Sequence, residues 1–302
     1  VTPHSLVPQA LIDLLTGVPS EGGPDGTTWL RRLPGLVDEV MAEWSLSPAG
    51  APMNGWTAVV IPVERDGQRL ACKIGWPHDE AAGEHLALRH WAGNGAVRLY
   101  AADPARGALL LEALDPSHDL STMWVEEACE VVGGLLARLH VTAPPTIRRL
   151  SEVGARQVSQ MQHAGDLLPR RLVARAAGIF ADLSSDPSCD ATLLHTDLHY
   201  ENVLGAEREP WLAIDPKPMA GHPGIELIPL LRNRTEEMGT GSSFRWSVRR
   251  RVDVTCEAAG IDEQAARLWT IFAATVEAAA AASRDDPQSA SLHIALAKSL
   301  EG

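Results

Sequence analysis

The sequence predicts an α+β fold in two lobes, a small N-terminal lobe with an antiparallel sheet and a larger, mostly helical C-terminal lobe. Three observations predict it. A chain of 302 residues buries a substantial core and is long for one domain. Strand-like runs gather in its first 114 residues, at 58–60, 70–74 and 108–114. Beyond them, apart from one hairpin, the apolar positions repeat with helical period. The N-terminal lobe is expected over 1–111, a hinge over 112–116 and the C-terminal lobe over 117–302.

Taken in order, 6–16 and 28–46 read as amphipathic helices, the second capped by Thr27 or Thr28. Asn54-Gly55-Trp56-Thr57 reads as a β-turn or a reduced phosphate loop, with Gly55 giving backbone freedom and Thr57 a hydroxyl. In the strand at 70–74, period-two alternation sets Lys73 on one face with the small Ala71 and Gly75. A lysine in an apolar strand needs a carboxylate partner. On the next helix Glu84 shares a face with Ala81, Leu88 and Trp91, so Glu84 is the expected partner and Glu80 the second choice. Residues 108–114 form a buried strand that turns at Asp115-Pro116-Ser117.

In the second lobe, 124–140 carries a core stripe, with His140 as a helix-terminal hydrogen bonder. Residues 151–183 make two helices broken near Pro169. Helices at 244–259 and 262–283 follow, the first stopped by Gly260. Arg245, Arg249, Arg250 and Arg251 read as a solvated helix face.

The chemistry concentrates in His195-Thr196-Asp197-Leu198-His199-Tyr200-Glu201-Asn202. Asp197 and Asn202 stand five apart, and Asp215 follows thirteen positions after Asn202 across a short hairpin with its turn at 205–210. That is the spacing of a phosphoryl-transfer loop. The migrating group carries dense negative charge, so metal ions and an in-line acceptor do the work. Asn202 and Asp215 offer oxygens to Mg²⁺. Asp197 is left free to orient an acceptor hydroxyl and take its proton. Lys73 paired with Glu84 fits the α- and β-phosphates of ATP.

His195-Thr196-Asp197 with Asn202, then Ile214-Asp215-Pro216-Lys217, resembles the aminoglycoside phosphotransferase family, which shares the protein-kinase fold. The runs Trp211 to Lys217, Gly221-His222-Pro223-Gly224-Ile225-Glu226-Leu227 and Lys73-Ile74-Gly75-Trp76-Pro77 are similar to its streptomycin 6-phosphotransferase and hydroxyurea phosphotransferase branch. The resemblance spans roughly 54–234. It implies ATP- and Mg²⁺-dependent O-phosphorylation of a small, usually cationic acceptor. It also implies that backbone groups of Glu112 and Leu114 meet the purine, whatever their side chains, and that Glu226, with His195, supports the catalytic loop. Thr196 stands where such proteins mostly carry Gly, so either the backbone turns differently there or Thr196 makes its own hydrogen bond. Pro216-Lys217 after Asp215 implies no protein-kinase-type activation switch. Two other readings stay open: a kinase of another small molecule, and a nucleotide-binding scaffold without catalysis.

A net charge of −13 argues against nucleic-acid binding and favours attraction of cations. Glu201, Glu236, Glu237 and Asp262 are the acidic residues available to hold a cationic acceptor. No run of about 20 apolar residues suggests a membrane span, and the N-terminus shows no export-signal pattern. Cys72, Cys129, Cys189 and Cys256 have neither zinc nor disulfide spacing, which fits a reducing cytoplasm.

Overall fold

The computed structural model describes residues 6–163 and 167–301. The chain divides into two units, one running to Pro116 and including Gly205–Pro210, the other formed by Ser117–Leu204 and the chain from Trp211 onward.

The first unit opens with α1 (Gln9–Leu15) and α2 (Gly26–Glu43). Asp25, not Thr27 or Thr28, caps α2: its carboxylate accepts the Thr28 N–H at 2.9 Å and the Thr28 hydroxyl at 2.7 Å. Thr27 instead accepts the Gly17 N–H with its hydroxyl. The helix therefore starts and ends earlier than its apolar pattern suggests, closing before Ser45 turns left-handed at φ +54°.

Strands β1 (Ser47–Pro48), β2 (Met53–Asn54), β3 (Ala58–Arg65), β4 (Gln68–Gly75), β5 (Leu99–Asp103) and β6 (Ala108–Glu112) form one antiparallel sheet, ordered β1-β3-β4-β6-β5 with β2 also on β3. Val59, Ile61 and Val63 of β3 and Leu70, Cys72 and Ile74 of β4 share a core with Leu11, Trp29, Leu33 and Val37. Alternation along β4 thus sends Lys73 to the opposite face, opposite Val60 and Leu109 in register. Helix α3 (Glu84–Trp91) lies between β4 and β5 in the chain.

After β7 (Asp115–Asp119), the second unit is mainly α4 (Val125–Leu139), α5 (Leu150–His163), α6 (Arg170–Leu183), the single turn α7 (Ile228–Leu231), α8 (Ser242–Ala259), α9 (Glu263–Ser283) and α10 (Pro287–Ser299). Two three-stranded sheets complete it: β8 (Val141–Thr142) and β12 (Met219–Gly221) flank β9 (Thr192–Leu194), while β10 (Val203–Gly205) lies between β7 and β11 (Trp211–Ala213). Helices α4 and α8 touch closely at Gly133, where a Cβ would stand 2.6 Å from Ala258 Cβ and 2.7 Å from the Thr255 carbonyl oxygen. Gly260 stops α8 at φ +67°.

Of the α8 arginines expected on a solvated face, Arg245 and Arg250 are exposed, whereas Arg249 and Arg251 turn to backbone carbonyls. Arg251 is buried and donates to the Asn233 and Arg234 carbonyls, each at 2.9 Å, and to the Tyr200 hydroxyl at 3.3 Å. Arg249 donates to the Ser299 and Glu301 carbonyls and Arg250 pairs with Glu126, so this side of α8 clamps neighbouring chain ends. Among the described residues no helix is long and apolar enough to cross a membrane, and all four cysteines are buried and unpaired.

Candidate active site

Pairing of β9 with β12 (Leu194 opposite Met219, Thr192 opposite Gly221) brings the chain leaving β9 beside the chain entering β12. Lys217 N–H donates to the His195 carbonyl at 2.9 Å, and Ile214 N–H to the Asn202 carbonyl at 2.9 Å. Both ends of the Asp197 loop are thereby laced to the segment that carries Asp215.

His195 is fully buried and uses both ring nitrogens. Nε2 lies 2.9 Å from the Ile214 carbonyl, which only accepts, so Nε2 carries the proton and Nδ1 accepts the Asp197 N–H at 3.3 Å. Burial holds its pKa below the ordinary histidine value and keeps the ring neutral. Thr196 adopts φ +57°, a left-handed conformation that costs a β-branched residue about 1–3 kcal/mol. Two bonds hold it there: Thr196 N–H donates to Glu226 Oε1 at 2.7 Å and its hydroxyl to the Lys217 carbonyl at 2.5 Å. The glycine-like turn and the extra hydrogen bond are both present. Asp215 is left-handed too, at φ +55°, a conformation aspartate tolerates.

Glu226 is buried and accepts the His195 N–H at 2.6 Å as well as that of Thr196, while its second oxygen meets His140 Nε2. Asn202 donates from Nδ2 to the Asp197 carbonyl at 2.8 Å. Its Oδ1 has no hydrogen-bond partner among the described residues, so the acceptor atom is the one left for a cation. Asn202 and Asp215 each carry oxygen of the kind Mg²⁺ takes alongside water and substrate phosphates. No group of three or more His, Cys, Asp or Glu that could hold a metal ion occurs among the described residues.

Asp197 is not free. Arg232 Nη2 lies 2.7 Å from Oδ1 and Lys217 Nζ 3.0 Å from Oδ2. The physical reason is burial, since a carboxylate only 8 % exposed is costly without compensating charge. Neither cation is legible in the sequence as a partner of Asp197: Lys217 belongs to the run that carries the resemblance without a role of its own, and Arg232 is 35 residues from Asp197.

The residues nominated to hold a cationic acceptor divide. Glu237 is bound by Arg234 at 2.7 and 2.9 Å, and Arg234 also covers the Tyr200 ring and donates to the Leu120 and Met123 carbonyls. Asp262 caps α9 by accepting the Ala265 N–H. Glu201 and Glu236 are exposed and carry no ion pair among the described residues.

In the first unit, Lys73 Nζ bonds both Glu84 oxygens, at 2.7 and 2.8 Å, and both side chains are buried. Glu80 is exposed. Gly55 is not required for backbone freedom: its φ is not left-handed, and a Cβ there would meet open space. It joins a turn in which its N–H donates to the Ala58 carbonyl. The Thr57 carbonyl accepts the Trp76 N–H, while the Thr57 hydroxyl has no partner among the described residues. The Glu112 N–H is spent on the Arg98 carbonyl. Its side chain is far from incidental, since the carboxylate accepts Arg208 Nε at 2.8 and 3.1 Å and the Arg98 N–H at 3.1 Å. The backbone of Leu114 forms no hydrogen bond among the described residues, leaving it the more available of the two hinge contacts.

This architecture has known counterparts. A family model described as "Aminoglycoside/hydroxyurea antibiotic resistance kinase" matches residues 43–286. A hydroxyurea phosphotransferase of Kitasatospora aureofaciens is 44% identical over 83% of this chain and 73% of its own length. A streptomycin 6-kinase of Streptomyces glaucescens is 40% identical over 82% of each chain. Among solved structures, an aminoglycoside phosphotransferase APH(4)-Ia in ternary complex with ADP and hygromycin B shares the two-lobed protein-kinase-like fold, with a TM-score of 0.55 at 12% identity over 88% of this chain and 98% of that one. With the family model matching most of its length and relatives at 40% and 44% identity, the chain belongs to the aminoglycoside/hydroxyurea antibiotic resistance kinases.

Proposed function

We propose that the chain is an ATP-dependent O-phosphotransferase that modifies a hydroxyl of a streptomycin-like aminoglycoside and so inactivates the antibiotic. The observation that carries this reading is the laced loop, in which Asp197, Asn202 and Asp215 are held by backbone bonds from His195, Ile214 and Lys217. Asp197 receives the acceptor's proton as the oxygen bonds to phosphorus. Lys73, oriented by Glu84, takes the α- and β-phosphates, Thr57 and Gly55 line the phosphates, and Leu114 meets the purine with Glu112 beside it. Asn202 Oδ1 and Asp215 hold Mg²⁺, which neutralises triphosphate charge when bound. Glu226 and His195 support the loop. Glu201 and Glu236 are the better placed of the nominated carboxylates to meet cationic groups of the acceptor, since Glu237 and Asp262 are already engaged.

A specific observation also favours hydroxyurea as the acceptor. The relative named hydroxyurea phosphotransferase shares the higher identity, and both oxygens of Asp197 are already engaged by Lys217 and Arg232 rather than open to a cationic sugar.

Incubating enzyme, ATP and Mg²⁺ with streptomycin and with hydroxyurea, followed by mass spectrometry, tests the proposal. One added phosphate on streptomycin supports it, and phosphate on hydroxyurea alone transfers the reading to that acceptor. Asp197→Ala should lower turnover by about 10²–10⁴ with nucleotide binding retained. Unchanged turnover in that variant refutes the role of Asp197.

A further inference from the structure

We propose that Lys217 is a catalytic cation for the migrating phosphoryl group, while Arg232 is the residue that positions Asp197. The inference rests on the phosphotransferase reading above and assigns roles within that site. One cation suffices to compensate a buried carboxylate, yet Asp197 holds two. Of the two, Lys217 makes the longer contact, 3.0 Å against 2.7 Å for Arg232. The Asp197 side chain is 8 % exposed, whereas Lys217 and Arg232 are 30 % and 34 % exposed, so the cations rather than the carboxylate present the open surface.

The two cations differ in what they can do. Arg232 closes the turn α7 and holds Oδ1 at the shorter distance with a planar, rigid fork. Lys217 has a fixed backbone and a partly exposed head. Its N–H bonds the His195 carbonyl, and its own carbonyl accepts from the Thr196 hydroxyl and Arg148 Nη2. The ammonium is a rotatable point charge on a flexible stem. It also follows Asp215 by only two residues, so it is tethered close to where the phosphates meet the metal ligands.

Other positive charge near the loop is committed elsewhere. Arg234 and Arg251 are spent on carbonyls, Glu237 and Tyr200. His199, two residues after Asp197, has a buried Nδ1 with no partner, and burial lowers its pKa, so it brings no charge at neutral pH.

In the step, a lone pair of the acceptor oxygen forms the bond to Pγ as the bond from Pγ to the β–γ bridging oxygen breaks, its electron pair leaving on ADP. The acceptor proton passes to Asp197 Oδ2. Lys217 shifts from Oδ2 toward the equatorial oxygens of the transferring group, where charge develops. Removing a cation from Oδ2 makes it more basic as the proton arrives.

Calorimetric titration of MgADP with and without fluoroaluminate, a mimic of the transferring phosphoryl, reads this interaction without an acceptor. The wild type should bind MgADP about 10²-fold more tightly with fluoroaluminate, the worth of one transition-state donor. K217M should keep MgADP affinity within about twofold and lose at least about tenfold of that gain, in keeping with a contact made only in the transition state. K217R should restore part of it. K217Q serves for the same measurement should methionine fail to fold. No gain in the wild type, or the same gain in the Lys217 variants, overturns the proposal. Should D197A lose turnover while K217M keeps both turnover and the gain, this inference falls and the phosphotransferase reading stands. Should D197A keep its turnover, the broader reading falls instead.

Discussion

Replacing Glu226 by alanine tests the claim that one buried carboxylate sets the geometry of the Asp197 loop. Its oxygens accept two backbone N–H groups, at 2.6 and 2.7 Å, and meet His140 Nε2. A hydrogen bond to a charged group contributes about 1.5–3 kcal/mol. The three share one side chain and do not add fully, and the variant strands the His195 N–H in a fully buried setting, so a loss of about 3–5 kcal/mol is expected. Thr196 at φ +57° loses one of the two bonds that offset its strain. Glu226→Gln keeps an acceptor for both N–H groups but loses the charge and puts an NH2 in place of the oxygen that meets His140, so about 1–2 kcal/mol is the expected loss. Urea unfolding followed by tryptophan fluorescence should show the alanine variant's midpoint lowered by about 1–2 M and the glutamine variant's by less than half of that. Turnover should fall about 10²-fold in the alanine variant, the cost of displacing a reacting group by about 1 Å. A midpoint within about 0.3 M of wild type, with turnover within about twofold, would refute the bracing argument.

The pH dependence of stability should run one way. Burial lowers the pKa of both His195 and His199, so below the ordinary histidine value of about 6.5 the unfolded chain binds protons that the folded one does not. Their contribution is complete above that value and lost as pH falls, by up to about 1.4 kcal/mol per pH unit for each ring. Unfolding midpoints compared at pH 7.5 and 5.5 read this, and equal midpoints would count against buried neutral rings. At Gly133 and Gly134 the same substitution should have opposite signs. Alanine gains about 1 kcal/mol over glycine within a helix, and at Gly134 its Cβ meets open space. At Gly133 the Cβ collides with Ala258 and the Thr255 carbonyl across the α4 and α8 contact, an overpacking cost of about 1–3 kcal/mol that exceeds the gain. Thermal melts of G133A below wild type and G134A at or above it are the expected pair.

Local and repeating features were legible in the sequence. The α3 helix, the reach of Lys73 to Glu84, the hairpin around 205–210 and the Gly260 stop all follow from periodicity, turn chemistry or the need of a buried charge for a partner. The bracing by Glu226 came from the resemblance rather than from pattern. Features set by one distant partner were not legible. Thr27 and Thr28 satisfy the composition of a cap as well as Asp25 does, and only the entry path of the chain, with Thr27 turned to Gly17, decides between them. The arginines of α8 look like a solvated run because a sequence does not tell whether a guanidinium faces water or the carbonyls at 233 and 234. Short strands such as β8 and β12 carry too few residues for a period to register.

The same limit governs the charge argument. A net charge of −13 weights every side chain equally and points to a cationic acceptor. The field at a reacting atom depends instead on the groups near it that lack local compensation, because exposed charges farther than about 8–10 Å are screened. Near Asp197 the balance is set locally: Arg232 and Lys217 pair with it, Glu201 and Asp215 add negative charge at the neighbouring His199, Glu237 is neutralised by Arg234, and Asp262 is absorbed by a helix N-terminus. An acidic surface can raise the encounter rate of a cationic acceptor while the buried Asp197 carboxylate is itself compensated by Arg232 and Lys217. Global charge therefore bears on capture and local charge on chemistry. If the acceptor is cationic, salt should weaken the first, as a rising KM for that acceptor, and leave kcat nearly unchanged.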